Sequence, residues 1–397
     1  MSAYSRGQSV IVLGGGIIGL SCALEAALRG HRVTLAEPGR IGGQASGAAA
    51  GMLAPYSENP EGADAFFRLS LGSLRLYPEW IRSVEEISGM SVEWERSGSL
   101  NILQHEADLL PAEGRMRWQN GWGAGAELID KDELRGLEPA LAEEAVGAVY
   151  IPEESHVYAP KLVEALAAAC KRTGVQILEH AGTIESLHRS DIGGSRIAMS
   201  GLPALLAADR VVLCPGAWSS AYEQHLGLKL PVHPIRGQIC SYLSPAQWSE
   251  PLRHIVFTSQ AYWVSKRNGT VVCGASEDVA GYETSVTEHG IGRLTRATDR
   301  FLPDLRGVKP AFGWAGLRPA TPDGMPLIGA AGGEGEWLMA AGHYRNGILL
   351  SPATGRLIAD LLDGEPDEKT LAGLAPFAPA RFTARQGSKQ ATAGHIY

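Results

Sequence analysis

The sequence predicts a mixed α/β (α+β) fold in which a parallel α/β domain carries an inserted domain built on an antiparallel sheet. Three observations support this prediction. Residues 9–37 alternate strand, turn, helix and strand; residues 238–273 hold closely spaced strand patterns with no helix between them; and residues 337–362 return to a strand followed by a helix. Parallel strands joined through helices and antiparallel strands joined by short turns belong to different architectures, so a chain with both needs two structural units.

The turn inside residues 9–37 carries the glycine pattern GxGxxG at Gly14, Gly16 and Gly19. These glycines permit a tight turn and a close approach of a pyrophosphate, and the N-terminus of the following helix binds the phosphates through its free N–H groups. Glu37 ends the second strand, where an acid accepts hydrogen bonds from a ribose and repels a 2′-phosphate. The unit therefore predicts a Rossmann-like domain that binds a dinucleotide other than NADP.

A run of very small residues over 42–52 follows directly after Glu37. Small side chains let a large flat cofactor lie against the main chain, whose N–H groups then reach phosphate and ring atoms. In isolation such a run reads as a flexible loop. Its position after the ribose-binding acid instead favours FAD over NAD.

The remaining apolar patterns predict further elements. Helices are expected at 64–87 (interrupted or kinked at Pro78), 161–172, 288–301 and 350–362, and strands at 175–179, 183–187, 211–213, 238–243, 254–258, 262–265, 270–273 and 337–340. The Trp-rich segment 115–125 reads as a surface excursion with core aromatics. We expect a discontinuous FAD-binding domain of residues 1–88, 157–232 and 320–364, a substrate domain of residues 89–156 and 233–319, and a partly disordered tail of residues 365–397.

Composition excludes several classes of function. Lys and Arg number 35 against 43 Asp and Glu, which gives a net charge of −8 and argues against binding to nucleic acid or to an anionic membrane. The five cysteines are odd in number and never in CxxC spacing, which argues against a disulfide framework or a metal site. Apolar runs are too short to span a bilayer, and the first strand leaves no room for a secretory signal, so the expected location is the cytoplasm.

Two C-terminal segments, together with the N-terminal glycine pattern, carry a resemblance to a known family. Residues 313–324 read GWAGLRPATPDG, residues 340–350 read AAGHYRNGILL, and residues 236–238 read RGQ. This combination resembles the flavin-dependent amine oxidases of the D-amino-acid oxidase superfamily and, within it, the bacterial glycine oxidases of thiamine biosynthesis. The resemblance extends to about residue 364.

The resemblance implies a non-covalent FAD. The related sarcosine oxidases attach flavin to a C-terminal cysteine, but the last cysteine here is Cys273. The backbone N–H groups of Gly347 and Ile348 would stabilise the negative charge that reduced flavin carries near N1. The full set of expected cofactor-binding residues is Gly14, Gly16, Ile17, Ile18, Gly19, Glu37, Pro38, Ala45, Ser46, Ala50, Gly51, Met52, Thr183, Gly216, His343, Tyr344, Arg345, Asn346, Gly347, Ile348 and Leu349.

The resemblance also implies a substrate site. Arg318 matches the arginine that clamps the substrate carboxylate, and a planar guanidinium provides two parallel charge-assisted hydrogen bonds for that purpose. Tyr262 matches a tyrosine that assists at the same carboxylate, with core packing as the alternative. Arg345 matches a second arginine near the substrate, with a structural or flavin-contacting role as the alternative. Met52 and Gln260 complete the expected substrate-binding residues.

Two departures from the family pattern are expected at the substrate entrance. Val264, Ser265 and Lys266 stand where relatives often have Val-Pro-Arg, and Gln260 stands where some have histidine. These changes put the side-chain specificity in doubt. His343 is expected to be a loop histidine that satisfies the backbone, and no catalytic acid or base is nominated.

The expected reaction is oxidation of glycine or a small N-substituted glycine, with hydride transfer from the α-carbon to flavin N5, reoxidation by O2 to hydrogen peroxide, and hydrolysis of the imine to glyoxylate. The alternatives are a larger N-carboxymethyl amino acid, a D-amino acid, or a non-catalytic flavoprotein. Expected partners are the small-molecule substrate and O2, with a homodimer or homotetramer implied by the resemblance alone.

Overall fold

The computed structural model describes residues 7–59, 62–190, 193–248, 252–332, 337–364 and 368–383. Its strands run, in chain order, β1 (Ser9–Leu13), β2 (Arg32–Ala36), β3 (Met52–Leu53), β4 (Trp94–Glu95), β5 (Ser99–Leu103), β6 (Glu127–Asp130), β7 (Gly147–Ile151), β8 (Ser155–Val157), β9 (Gln176–Leu178), β10 (Ile184–Arg189), β11 (Ser195–Met199), β12 (Leu206–Ala208), β13 (Arg210–Leu213), β14 (His233–Leu243), β15 (Ile255–Phe257), β16 (Tyr262–Lys266), β17 (Thr270–Gly274), β18 (Phe312–Ala320), β19 (Leu327–Ala330) and β20 (Trp337–Ala341).

The helices, again in chain order, are α1 (Ile17–Leu28), α2 (Ala45–Ala48), α3 (Pro55–Glu58), α4 (Ala65–Ser88), α5 (Leu109–Asn120), α6 (Lys131–Leu137), α7 (Ala159–Arg172), α8 (Glu223–Leu226), α9 (Glu288–Phe301), α10 (Gly347–Asp363) and α11 (Glu368–Leu374). Short 3-10 turns add Glu106–Asp108, Gly216–Tyr222, Pro303–Leu305, Ala375–Phe377 and Pro379–Phe382.

A six-stranded sheet in the order β19-β20-β13-β1-β2-β9 forms the first structural unit. Strand β1 pairs in parallel with β2 on one side and β13 on the other, and only β19 runs antiparallel to its neighbour within this sheet. Helices α1, α7 and α10 pack against this sheet, and α4 packs on α7 and α10. Its apolar strands, buried on both faces, are typical of a parallel sheet covered by helices.

An eight-stranded sheet in the order β18-β14-β17-β16-β15-β5-β7-β6 forms the second structural unit. Its neighbouring strands are antiparallel except for β15 and β5, which are parallel. Successive side chains on a strand point to opposite faces. Trp263 therefore packs beneath α9 with Leu294 and Phe301, whereas Tyr262 faces a cavity between the two sheets.

The predicted mixed α/β class is confirmed, since the chain combines a mainly parallel and a mainly antiparallel sheet. Each sheet also draws its strands from separated segments of the chain. The domain boundaries themselves stay a prediction.

Several predicted elements need correction. Helix α4 is continuous through Pro78, so an interruption there is wrong; proline in the interior removes one backbone donor while the long apolar face still packs on the core. The segment 115–125, predicted as a surface excursion with core aromatics, begins in the unpredicted helix α5, while Trp118 and Trp122 pack edge-on against the buried Phe67. Helix α10 begins at Gly347, three residues before the predicted start at Leu350. A three-stranded sheet, β10-β11-β12, extends the strand predicted at 183–187.

The prediction of a partly disordered tail falls in part outside the described residues, which omit 365–367 and 384–397. Between those gaps the chain forms α11 and two 3-10 turns, and Arg381 forms an ion pair with Asp323 at 2.8 Å. The structure contains no helix, among the described residues, with the length and apolar character needed to cross a membrane.

Candidate active site

A cavity of about 1010 Å³ lies between the two sheets. It begins at the carboxyl ends of β1 and β13, passes the small-residue segment 43–52, and ends against the cavity-facing side of the eight-stranded sheet. Ligands of open α/β sheets bind at the carboxyl ends of the strands, where neighbouring connections diverge. The position of the cavity therefore agrees with a dinucleotide at one end and a second ligand at the other.

Most of the predicted site residues lie together in the wall of this cavity: Gly14, Gly16, Ile17, Ile18, Gly19, Glu37, Pro38, Ala45, Ser46, Ala50, Gly51, Met52, Thr183, Gly216, Gln260, Tyr262, Arg318, His343, Tyr344, Arg345, Gly347 and Ile348. Asn346 and Leu349 are buried behind the wall rather than in it.

The GxGxxG turn joins β1 to α1 with almost no space for side chains. A Cβ on Gly19 would lie 1.9 Å from the carbonyl oxygen of Gly14, and Gly14 itself has a φ of +111°. At Gly16 a Cβ would meet only the hydroxyl of Ser46, at 3.2 Å. The first and third glycines thus permit close packing of helix on strand, while the second leaves the backbone open to the cavity.

Glu37 has a structural role in addition to the predicted one. Its carboxylate accepts hydrogen bonds from the N–H of Gly15 at 2.6 Å and of Gly39 at 2.9 Å. These bonds fix the glycine turn relative to the end of β2. The group still lines the cavity, and a carboxylate has lone pairs for further donors.

The backbone at Thr183 already has partners. Its N–H donates to the Ser200 hydroxyl at 3.0 Å, and its carbonyl accepts from the Ser200 N–H at 2.9 Å. Contact between this residue and an adenine stays a prediction, since Thr183 lines the cavity but its backbone groups are engaged elsewhere.

The loop before α10 presents free backbone donors. Within the described residues the N–H groups of Gly347 and Ile348 have no acceptor, and both residues line the cavity. His343 is buried beside them, its Nε2 lies 3.1 Å from the Thr354 hydroxyl, and burial lowers the pKa of the imidazole to about 3. His343 is therefore neutral, and its partner is a side-chain hydroxyl rather than the backbone group expected from the sequence.

Arg318 lies on β18 with its guanidinium above Gly237 of β14. A Cβ on Gly237 would lie 2.4 Å from Cζ of Arg318, so only glycine leaves room for the guanidinium. One of its N–H groups donates to the carbonyl oxygen of Ser276 at 2.9 Å. Among the described residues no carboxylate lies within 4.0 Å of Arg318, although the charge of its guanidinium acts on Glu58 in the same cavity wall.

Tyr262, on β16, also has a glycine beside its side chain. Its hydroxyl lies where a Cβ of Gly274 would be, 2.3 Å away, so this glycine too makes room for a cavity side chain. Burial raises the pKa of the phenol well above its usual value, and the charge of Arg318 opposes this shift. The phenol is thus a neutral hydrogen-bond donor at physiological pH. Gln260 is exposed at the rim of the cavity.

Arg345 lies between two carboxylates that the sequence did not single out. Its Nε is 3.9 Å from Glu58 and its Nη1 is 3.9 Å from Glu277, while Tyr344, at a φ of +48°, donates its hydroxyl to Glu277 at 2.8 Å. Burial raises the pKa of Glu58, and the charges of Arg345 and Arg318 oppose this shift. A non-glycine residue at positive φ is uncommon and marks a constrained segment.

Lys266, one of the residues that depart from the family pattern, does not line the cavity. The expectation that it lies at the substrate entrance is therefore wrong. Its ammonium is buried 3.1 Å from the carbonyl oxygen of Val157 and 3.4 Å from Nδ1 of His156, and burial lowers its pKa to about 7. Val264 and Ser265 are buried as well and do not line the cavity. Of the two departures, only Gln260 lies in the cavity wall.

An aromatic pair bridges the two structural units at the cavity. Trp218, in the 3-10 turn after β13, stacks on Tyr282 from the loop between β17 and α9, with ring centroids 5.6 Å apart. The Tyr282 hydroxyl donates to the Ala217 carbonyl at 3.3 Å. Trp218 also lines the cavity.

Comparison with known proteins identifies the family. Residues 9–361 match the family model described as FAD dependent oxidoreductase, DAO. The chain belongs to this family of flavin-dependent oxidoreductases.

Relatives of this flavin-dependent oxidoreductase include glycine oxidases. The glycine oxidase of Geobacillus kaustophilus is 33% identical over 380 residues, which cover 95% of this chain and 98% of that protein. A crystal structure of glycine oxidase from the same organism has a TM-score of 0.86 and covers 95% and 99% of the two chains. The bifunctional ThiO/ThiG protein of Synechocystis is 34% identical over 94% of this chain but only 54% of its own length. Iminodiacetate oxidase of Chelativorans is 26% identical with a TM-score of 0.82, over 93% and 98%.

The residues present fit the FAD that this family uses. The open backbone at Gly16 and the N-terminus of α1 face the dinucleotide end of the cavity, and the unpaired N–H groups of Gly347 and Ile348 face the next part of it. Helix N-termini bind anionic groups through such donors. The five cysteines are free and buried, and no cluster of possible metal ligands occurs within the part of the chain that the structure describes.

Four residues of the site were not predicted from the sequence. Glu58 and Glu277 lie in segments without a recognised motif, so the sequence offered no signal for either residue. Gly237 and Gly274 each lie opposite a large cavity side chain, and only strand register reveals such pairs.

Proposed function

We propose that this flavin-dependent oxidoreductase oxidises glycine or a small N-substituted glycine. The observation that supports the proposal most directly is the Arg318 guanidinium, which faces the cavity without a carboxylate partner among the described residues. A partly buried arginine that has no carboxylate within ion-pair distance is suited to bind one, because its planar fork matches the two oxygens of that group. The relatives named glycine oxidase support the same substrate class.

Two side chains would hold the substrate carboxylate. Arg318 is fixed by its hydrogen bond to Ser276 and by the space above Gly237, so little conformational freedom is lost when it binds. The neutral hydroxyl of Tyr262 would donate a further hydrogen bond to the same carboxylate. Fixing the carboxylate in this way would orient the α-carbon, and orientation is a large part of catalysis in such reactions.

FAD held in this cavity would supply a two-electron acceptor for the hydride of the substrate α-carbon, and O2 would take up these electrons to give hydrogen peroxide. The unpaired N–H groups at the start of α10 would stabilise negative charge on the ring beside them. The imine released from glycine would react with water to give glyoxylate and ammonia. Burial lowers the pKa of His343 to about 3, so its imidazole is neutral at neutral pH and is not an acid that could protonate the substrate.

The test is anaerobic reduction of the purified yellow protein by glycine. We expect Arg318→Ala to keep its FAD spectrum but to lose about 10²- to 10⁴-fold in the reduction rate at low glycine, since two charge-assisted hydrogen bonds contribute about 1.5–3 kcal/mol each. Arg196→Ala, an exposed arginine on β11, provides the matched control with unchanged reduction. Equal rates in wild type and Arg318→Ala would contradict the carboxylate clamp.

A substrate panel separates the proposed function from its neighbours. Peroxide release is measured with glycine, sarcosine, N-ethylglycine, iminodiacetate, D-alanine and D-proline. The proposal expects the highest kcat/KM with glycine or sarcosine. Preference for the D-amino acids would indicate the alternative oxidase, and preference for a larger N-substituent would indicate a biosynthetic amino acid as substrate. Absence of peroxide with every amine would indicate a non-catalytic flavoprotein.

A further inference from the structure

The carboxylate of Glu58 lies in the cavity wall without a hydrogen-bond donor. Its side chain is 11% exposed, and the nearest cationic atom among the described residues is Nε of Arg345 at 3.9 Å, which is beyond hydrogen-bond distance. Arg345 directs another N–H group weakly, at 3.4 Å, to the backbone carbonyl of Glu58 instead. Burying a carboxylate without donors is costly. The arrangement therefore favours a donor that arrives with a ligand.

Other acids in and near the cavity are already satisfied. Glu37 accepts two backbone N–H groups, and Glu154 accepts two backbone N–H groups and two hydroxyls. Glu277 accepts the hydroxyl of Tyr344, and half of its side chain is exposed to solvent. Glu58 thus differs from them in being enclosed while its carboxylate has no hydrogen-bond donor among the described residues and only a 3.9 Å ion pair with Arg345.

Glu58 and Arg318 give the cavity one charge of each sign. Both line it, and they are close enough for the charge of Arg318 to lower the pKa of Glu58. An α-amino acid carries its carboxylate and its amine on the same α-carbon, so it is complementary to such a pair. Building on the proposed function, we propose that Glu58 receives the amine of the substrate while Arg318 binds its carboxylate.

Helix α3 holds Glu58 in a fixed place. The buried carboxylate of Glu154 accepts hydrogen bonds from the backbone N–H groups of Tyr56 and Ser57, each at 2.8 Å, and from the Ser57 hydroxyl at 2.6 Å. These three bonds anchor the start of the helix, and Glu58 is its last residue. A recognition group on an anchored backbone discriminates between ligands better than one on a mobile loop.

The proposal makes Glu58 a specificity-determining residue for amines over alcohols. Glycolate has the carboxylate of glycine but a neutral hydroxyl in place of the amine. It would gain the Arg318 interaction and lose the charge-assisted one with Glu58. The two ligands therefore separate the roles of the two residues.

The experiment compares the affinities of wild type and Glu58→Gln for these ligands. The Kd for glycine comes from the concentration dependence of anaerobic flavin reduction, and the Kd for glycolate comes from its perturbation of the flavin absorption spectrum. Glu58→Gln should raise the Kd for glycine at least about tenfold and change that for glycolate less than about threefold, because only the amine uses the carboxylate. Glu58→Asp, which keeps the charge on a shorter side chain, should give an intermediate Kd for glycine.

Glu277→Gln is the matched control. It removes the same charge at the same 3.9 Å from Arg345, so any general electrostatic effect of the acids around that arginine appears in both variants. We expect the glycine-to-glycolate Kd ratio to shift several-fold more in Glu58→Gln than in Glu277→Gln. The FAD absorption spectrum of each variant reports that the fold and the cofactor are retained.

The outcomes separate this inference from the proposed function. A wild type that neither is reduced by glycine nor binds glycolate overturns both. A wild type that is reduced by glycine, together with a Glu58→Gln variant of unchanged glycine Kd, overturns the role of Glu58 alone. Equal losses for glycine and glycolate would also overturn it, because they indicate a structural effect on the carboxylate end.

Discussion

Replacing Glu154 with glutamine should change how the stability of the protein depends on pH. The Glu154 carboxyl is fully buried, and burial raises its pKa from 4.5 to about 7, although four hydrogen-bond donors oppose this shift. Between these two values the folded protein keeps a proton that the unfolded chain has released. The wild type therefore loses stability as the pH rises from about 4.5 to about 7, and the loss is complete above that range.

The magnitude follows from the separation of the two pKa values. At about 1.36 kcal/mol per pH unit, this separation lowers the free energy of unfolding by an amount on the order of 3 kcal/mol. Glu154→Gln is neutral throughout and lacks this step. The difference in unfolding free energy between wild type and variant should thus move by about 3 kcal/mol, in favour of the variant, between pH 4.5 and 8.

The assay is urea unfolding followed by circular dichroism at saturating FAD, repeated across this pH range. Glu153→Gln, at the exposed neighbouring residue, should parallel the wild type at every pH. A difference between wild type and Glu154→Gln that stays flat with pH would refute the reasoning. A difference that moves in favour of the wild type would show that the four donors outweigh burial and keep the carboxylate ionised.

Three further predictions concern glycines and a buried lysine. Gly237→Ala places a methyl group 2.4 Å from Cζ of Arg318, so it should keep FAD but raise the KM for glycine at least about tenfold in steady-state peroxide assays; an unchanged KM would contradict the proposed position of the guanidinium. Gly14→Ala puts a methyl group 2.3 Å from a backbone carbonyl at a φ of +111°, and the purified variant should contain much less FAD per chain than wild type by absorbance. Burial lowers the pKa of Lys266 to about 7, so the stability of the wild type should rise with pH from about 7 to about 10.5, where the unfolded chain binds the extra proton. Lys266→Met should be about 2–4 kcal/mol more stable than wild type near pH 7 by urea unfolding, an advantage that shrinks toward pH 10 and is absent in the exposed control Lys309→Met.

The sequence predicts those parts of the fold where local signals agree. Helix α9 lies where it was expected, because Thr287 caps it by accepting a hydrogen bond from the N–H of Gly290 and its apolar residues recur at helical spacing. Strand β1 and the glycine turn likewise follow from an apolar run and a motif. Helix α10 begins earlier than expected. Glycine is a weak helix former, so a glycine at the first helical position does not mark the start of a helix in the sequence.

The site could be predicted where a motif carries it and not where tertiary contacts create it. The glycine turn and the GLRPATPDG and GHYRNGI segments supply most of the cavity wall. The position of Glu58 depends on Glu154, which lies 96 residues further along the chain and anchors α3 from β7–β8. Lys266 alternates onto the same face as Tyr262, but only its packing against β8 shows that it is buried beside His156.

The Trp218–Tyr282 stack gives the molecule an internal optical reporter. Trp218 lines the cavity, so an isoalloxazine bound there would accept its excitation energy, and Trp218 emission should be quenched when the cofactor is present. Because the other ring of the stack belongs to the opposite structural unit, separation of the two units would also change this emission. Because the chain has nine tryptophans, the emission of Trp218 is the difference between wild type and Trp218→Phe, and its recording during cofactor release would follow both events without an attached dye.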